Sequence, residues 1–177
     1  MDIWTLPESL TVAGEPYPIR WEYRQVLEVL ALLSDGQKPL WQRWFGAVDR
    51  FYARPVPTEH LQEAMAALSD FITMGRPGQP GPRLFDWQAD AVEIISDINR
   101  VAGCELRKER LHWWTFLGWF HAIGEGQLSF LVGIRQKLSR GEKLTEAEQE
   151  FYRQNPHRVK LPSLPDPQKQ KLEEMLK

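Results

Sequence analysis

One run of thirteen residues, from Leu111 to Ile123, constrains this chain more than any other segment. It reads Leu-His-Trp-Trp-Thr-Phe-Leu-Gly-Trp-Phe-His-Ala-Ile. At about 100° per residue, Leu111, Trp113, Trp114, Phe116, Leu117, Trp119, Phe120 and Ile123 point in nearly every direction around a helix axis. A helix that is apolar all round is buried on all sides. The run is therefore either the central helix of a core or a helix partly covered by a partner. It is too short for a bilayer, which needs about 20 apolar residues, and it carries His112 and His121. The first eight residues lack the basic region and apolar core of a signal peptide. The expectation is a soluble, cytoplasmic protein.

The chain has 177 residues, enough for one domain and few for two. A chain of this size buries roughly 70% of its unfolded surface without staples. A net charge of −2 and a pI near 6.1 leave no global basic field to draw nucleic acid. Cys104 is the only cysteine, so no intramolecular disulfide forms.

Apolar spacing and punctuation predict a mainly helical fold of six to eight helices with a short N-terminal β-hairpin. The hairpin pairs Leu10-Thr11-Val12 with Tyr17-Pro18-Ile19 around Ala13-Gly14-Glu15. A helix over residues 22–33 carries Val26, Leu27, Leu30 and Leu33 and closes at Gly36. The next starts near Pro39 and shows an aromatic stripe of Trp41, Trp44, Phe45, Val48, Phe51 and Tyr52. Thr58 caps a third helix. Residues 75-83 hold three glycines and three prolines and read as a solvated connector. Asp86 caps a fourth helix that stops at Gly103. After the tryptophan helix comes one bearing Leu128, Leu131, Ile134 and Leu138. Thr145 and Glu148 form a capping box. The organisation expected is a single domain over 1-160 and a tail over 161-177, with a short helix after Asp166-Pro167.

No pattern in the chain points to catalysis or to a cofactor. His112 and His121 fall on opposite sides of one helix and cannot share a metal through it. There is no Gly-x-Ser-x-Gly, no phosphate-binding glycine loop and no His-Glu-x-x-His. Asp86 and Asp90 lie one turn apart, but a helix cap explains the first and the helix dipole the second. Cys104 beside Glu105 lacks an electropositive setting. Base stacking on the aromatic stripes needs interleaved cations, and only Arg43 and Arg50 accompany them.

Several segments together resemble the bacteriophage "gp fifteen" family of tailed phages and prophages. They are Tyr17-Pro18-Ile19-Arg20-Trp21-Glu22-Tyr23-Arg24, Phe85-Asp86-Trp87 with Asp90-Ala91, Leu111-His112-Trp113-Trp114-Thr115-Phe116, and Ile134-Arg135. Trp21-Glu22 departs from the small polar residue and aspartate more usual at the first helix start. The resemblance implies a tail-module protein of a siphophage, a non-catalytic tail assembly chaperone. It would bind the tape-measure protein, and a neighbouring chaperone besides, in the host cell cytoplasm, and be absent from the mature virion. A structural subunit retained in the tail is the alternative. Homo-oligomerisation stays open; nucleic acid and membrane are not expected partners.

Two sets of residues follow from these readings. Ile94, Ile98, Trp113, Phe116, Leu117 and Phe120 are the expected core. Trp41, Trp44 and Tyr52, with Leu172, Met175 and Leu176 of the tail, are the expected partner contacts, because the stripe carries more aromatic area than a core of this size needs.

Overall fold

The computed structural model describes residues 4–76, 78 and 81–162. Among them are one two-stranded hairpin and eight α-helices. The helix expected after Asp166, and Leu172, Met175 and Leu176 with it, lie outside the described residues. The described residues divide into two compact units, and the boundary between residues 78 and 79 falls inside the proline-glycine connector.

The first unit runs to residue 78 and takes in 110–116 as well. It opens with β1 (Ser9–Val12) and β2 (Glu15–Pro18), antiparallel, with Leu10 opposite Tyr17 and Val12 opposite Glu15. Ala13 and Gly14 both have positive φ, the conformation that a two-residue hairpin loop requires. The strained Ala13 is steadied by its N–H, which donates to Glu63 at 2.7 Å. Of β2, only Glu15 and Tyr17 carry an N–H, so the two prolines sit where the ladder asks nothing of them.

Three helices follow the hairpin, α1 (Tyr23–Ser34), α2 (Leu40–Phe51) and α3 (Leu61–Thr73), with α2 packed on both others and α3 against β1. Their buried faces are Tyr23, Val26 and Val29; Ala47, Val48 and Phe51; and Ala64, Leu68 and Phe71. Glu22 caps α1 by accepting the Arg24 N–H. Asp35, and not Gly36, closes it. Thr58 opens a single 3₁₀ turn before α3 instead of capping the helix itself. The segment before α1 pairs with the chain leaving α2: the Arg20 N–H donates to the Phe51 carbonyl and the Ala53 N–H to the Pro18 carbonyl.

The second unit holds 81–109 and 117–162 of the described residues. It contains α4 (Ala91–Ala102), α6 (Gln127–Ser139), α7 (Glu146–Gln154) and α8 (Pro156–Val159), numbered after α5 (Trp113–His121). Gly103, at φ 68°, ends α4 as expected. Thr145 and Glu148 make their capping box at α7. Leu131, Ile134 and Val159 form one buried cluster, with Leu144, Phe151 and Tyr152 packed on it. The α6 start is capped from α4: the carboxylate of buried Asp97 accepts the N–H of Leu128 at 2.9 Å and of Gln127 at 3.3 Å. A Cβ on Gly126 would stand 2.5 Å from both Asp97 carboxylate oxygens, so only glycine fits there.

Helix α5 contributes Trp113–Phe116 to the first unit and continues from Leu117 in the second. The six expected core residues are thus shared between two packing environments. Ile94, Ile98, Trp113, Phe116 and Leu117 are buried. Phe120 is only half-buried, seated against Phe85 at 5.4 Å and Trp87 at 4.7 Å.

Candidate functional site

The aromatic stripe lies on α2, where the chain alternates between core and solvent. Val48 and Phe51 turn inward. Leu40, Trp41 and Phe45 turn outward, with Trp41 66% and Phe45 55% exposed. Trp44 lies between them in position and is half-buried. Positions 40, 41, 44 and 45 fall at i, i+1, i+4 and i+5 and give the start of α2 a continuous apolar flank. The arginines of α2 turn toward α1: Arg43 donates to the Leu33 carbonyl at 3.2 Å, and Arg50, in the last turn, pairs with Glu28.

Tyr52 does not belong to this surface. It is 2% exposed, and its hydroxyl donates to the Ala64 carbonyl at 2.9 Å. The helix stops at Phe51, and Tyr52 takes an extended backbone with ψ 139°. That turn takes its side chain off the helical stripe and into the core, edge-on to Tyr17 and Phe51. Burial, with the charge of Glu63 as a smaller contribution, pushes its phenol well above the ordinary range. Leu40 and Phe45 take its place on the exposed flank. Phe45 was legible within the stripe, whereas the exposure of Leu40 had no signal in the sequence.

A hollow of about 420 Å³ opens at the start of α1, lined by Arg20, Trp21, Glu22, Arg24 and Arg110 among others. The Arg20 guanidinium is spent on the end of α2, where Nη1 donates to the carbonyls of Arg50 at 2.6 Å and Tyr52 at 2.8 Å. Arg24 pairs with Glu22 at 2.8 Å. Arg110 is exposed and lies over the Trp21 ring, 5.1 Å from its centre.

Beneath that ring is His112, stacked on Trp21 at 5.6 Å and edge-on to Phe71 and Trp114. The chain here forms an isolated bridge between Glu22 and His112. The His112 Nδ1 accepts the Trp114 N–H at 3.1 Å, so its proton sits on Nε2, which donates to the Pro7 carbonyl at 3.0 Å. Burial holds the imidazole below its ordinary pKa of 6.5, against the smaller opposing pull of the Pro7 carbonyl and Glu8. Both neighbouring indoles also reach α3: Trp113 Nε1 donates to the Ile72 carbonyl and Trp114 Nε1 to the Phe71 carbonyl.

In the second unit the other motif pieces converge on one ion pair. Arg135 and Asp90 are 7% and 2% exposed. Their two parallel bonds are both 2.7 Å long. The remaining Arg135 donors go to the carbonyls of Leu84, Arg158 and Val159. All five N–H groups of the guanidinium are thereby used, which is what allows a charge to be buried. Asp90 also accepts the Asp86 N–H at 2.9 Å. Beside it, Arg158 reaches Glu93 at 2.6 Å.

Asp86 is a cap, one turn earlier than expected. Its side chain accepts the N–H of Gln88 and Ala89 at 2.9 and 2.7 Å, in the turn that precedes α4. Partial burial alone would raise its carboxyl. The Ala89 N–H, the Arg83 guanidinium and the Gln88 N–H together outweigh that and hold it below the usual range.

Among the described residues, no three histidine, cysteine or acidic side chains gather as a metal site requires. No described helix is long and apolar enough to cross a membrane. The carboxylates that stood out in the sequence, Asp86 and Asp90, are engaged in holding the fold.

Fold and site together define a class: a mainly helical protein with an N-terminal hairpin, whose distinctive sequence segments pin down its own structure and whose exposed aromatic flank lies apart from them. Residues 4–161 match the family model described as "Bacteriophage Gp15 protein", and the chain belongs to that family. It is a phage protein, and membership supports a role in the structure or assembly of the phage. No curated protein and no solved structure matches it.

Proposed function

We propose that this protein is a tail assembly chaperone that binds the tape-measure protein of its phage while the tail is built. The supporting observation is the apolar flank of α2, where Leu40, Trp41 and Phe45 stand in solvent on a helix whose opposite face is already packed. A tryptophan and a phenylalanine exposed side by side are costly for a free monomer and typical of a binding surface. Such a flank suits the apolar stripe of an amphipathic helix laid against it. Many copies along one long helical chain would hold it by avidity, without any single tight contact. The action is binding, with no covalent step, and it takes place in the host cytoplasm before the tube closes, after which the chaperone leaves.

Co-expression with the tape-measure gene product tests this. The wild-type chain is expected to keep that product soluble and to co-purify with it. Trp41→Ser combined with Phe45→Ser is expected to weaken the association on the order of tenfold or more while the melting temperature stays put. Failure of the wild type to co-purify removes the chaperone assignment. Its presence in purified particles would instead make it a retained subunit of the tail.

A further inference from the structure

We infer that the hollow at the start of α1 receives an acidic segment of a protein partner. This is a second surface, distinct from the α2 flank, and it does not depend on what that flank binds. Three arginines, Arg20, Arg24 and Arg110, are among the residues lining the hollow, with Glu22 the one carboxylate beside them. Arg20 turns its guanidinium to the end of α2, and its charge stays close by. The surplus is positive in a chain whose net charge is −2. Glu22 is already committed twice, to Arg24 and to the cap of α1. Arg110 is different. It comes from a separate stretch of chain, it is exposed, and the contact it makes is with the face of Trp21. A cation–π contact uses the charge of a guanidinium and not its N–H groups, which stay available to a carboxylate that can take two of them in parallel.

The rest of the hollow fits the same occupant. The edge of Trp21 supplies an apolar wall, its faces being taken by Arg110 and by His112, on which it stacks at an interplanar angle of 25°. Such a wall suits the methylenes of a glutamate or its apolar neighbour. The positive end of the α1 dipole faces the same space and adds to the attraction. Two other occupants fit less well. A small acid would need a site that encloses most of its surface, whereas this hollow is open to solvent. A nucleic acid needs a track of cations along its backbone, whereas here one hollow holds a carboxylate among its arginines.

Titration calorimetry on the full chain tests the inference. The probe is a capped amphipathic helical peptide with glutamates along one face. The controls are the same peptide with glutamine at those positions and a single-stranded oligothymidylate. The glutamate peptide is expected to bind at low salt and to weaken steeply as salt is raised. The glutamine peptide, and the glutamate peptide with the Arg110→Glu variant, should each bind weaker by on the order of tenfold. Arg110 is exposed, so the variant should melt as the wild type does. If it does not, Arg110→Gln, which removes the charge alone, carries the same expectation. Equal binding of both peptides, an unaltered affinity in the arginine variants, tighter binding of the oligothymidylate or no binding of the glutamate peptide each overturns the inference.

Discussion

Breaking the Asp90–Arg135 pair from one side leaves a buried charge without its counter-charge. Removing both at once would be far cheaper, because the penalty comes from the orphaned group. Asp90→Asn is therefore expected to cost about 3–5 kcal/mol, read as a fall in the urea midpoint, and an unchanged midpoint would contradict the geometry. His112 is the other residue whose environment decides its chemistry. Its folded pKa lies below the ordinary 6.5, so the unfolded chain binds its proton first as pH falls. Its contribution is complete above about 6.5 and declines as pH drops from there toward the lowered folded value. Protonation would also put a second N–H at Nδ1, facing the Trp114 N–H. The melting temperature should fall between pH 7 and 5.5, roughly, and His112→Asn should flatten the profile in that window. Both residues stood in the sequence within segments of recognisable pattern. Arg135 did as well, in Ile134-Arg135, but the pairings could not be read, because Pro7 and Arg135 are distant in the chain and no spacing rule links them to His112 and Asp90.

At the level of helices, local signals were readable where they act over three or four residues. The Thr145 capping box, the Gly103 stop and the Ala13-Gly14 turn all appear in the structure. Caps supplied from elsewhere were not readable. Helix α6 begins at Gly126 with no capping side chain of the usual type, and Asp97 supplies one from α4. Gly126→Ala would drive a methyl group into that carboxylate and free the N–H groups of Gln127 and Leu128. The expected loss is about 1–3 kcal/mol. Gly133→Ala, in the same helix but with nothing within 4 Å of the new methyl, should stabilise by roughly 0.5–1 kcal/mol. Thermal unfolding of the two variants side by side checks the contrast, and shifts of the same sign would refute it. Tyr52 shows the reverse failure. Its spacing continued the stripe, but the helix had already ended at Phe51.

Across the chain, burial separates aromatics that composition alone cannot. Phe116 is 1% exposed and stacks on Tyr23 at 4.9 Å and Trp113 at 5.4 Å. Trp41 is 66% exposed on α2. Phe116→Ala should cost about 3–5 kcal/mol through loss of packing and the cavity left behind. Trp41→Ala should stay within about 0.5 kcal/mol and show its effect in partner binding instead. Denaturant unfolding measures both, and comparable losses would mean that the α2 flank is part of the core. Tryptophan-rich segments thus divide into residues that hold the protein together and residues left over for contact.

The order of helices, the hairpin and the identity of the family could be read from the chain because they rest on short-range periodicity and on the order of residues along it. The 3-and-4 spacing of apolar side chains marks a helix because only a helix gathers them on one face, and a glycine that must take positive φ marks its end. What depends on packing could not be read in this way. Periodicity says which side chains share a face, but it is silent on what that face meets. Trp41, Trp44 and Tyr52 looked alike in sequence, yet they became an exposed, a half-buried and a fully buried residue. The pairing of Asp90 with Arg135, of Asp97 with the start of α6 and of Arg110 with Trp21 came from the same source. Each joins residues 20 or more positions apart, and only the folded chain brings such residues within the few ångströms over which hydrogen bonds, ion pairs and ring contacts act.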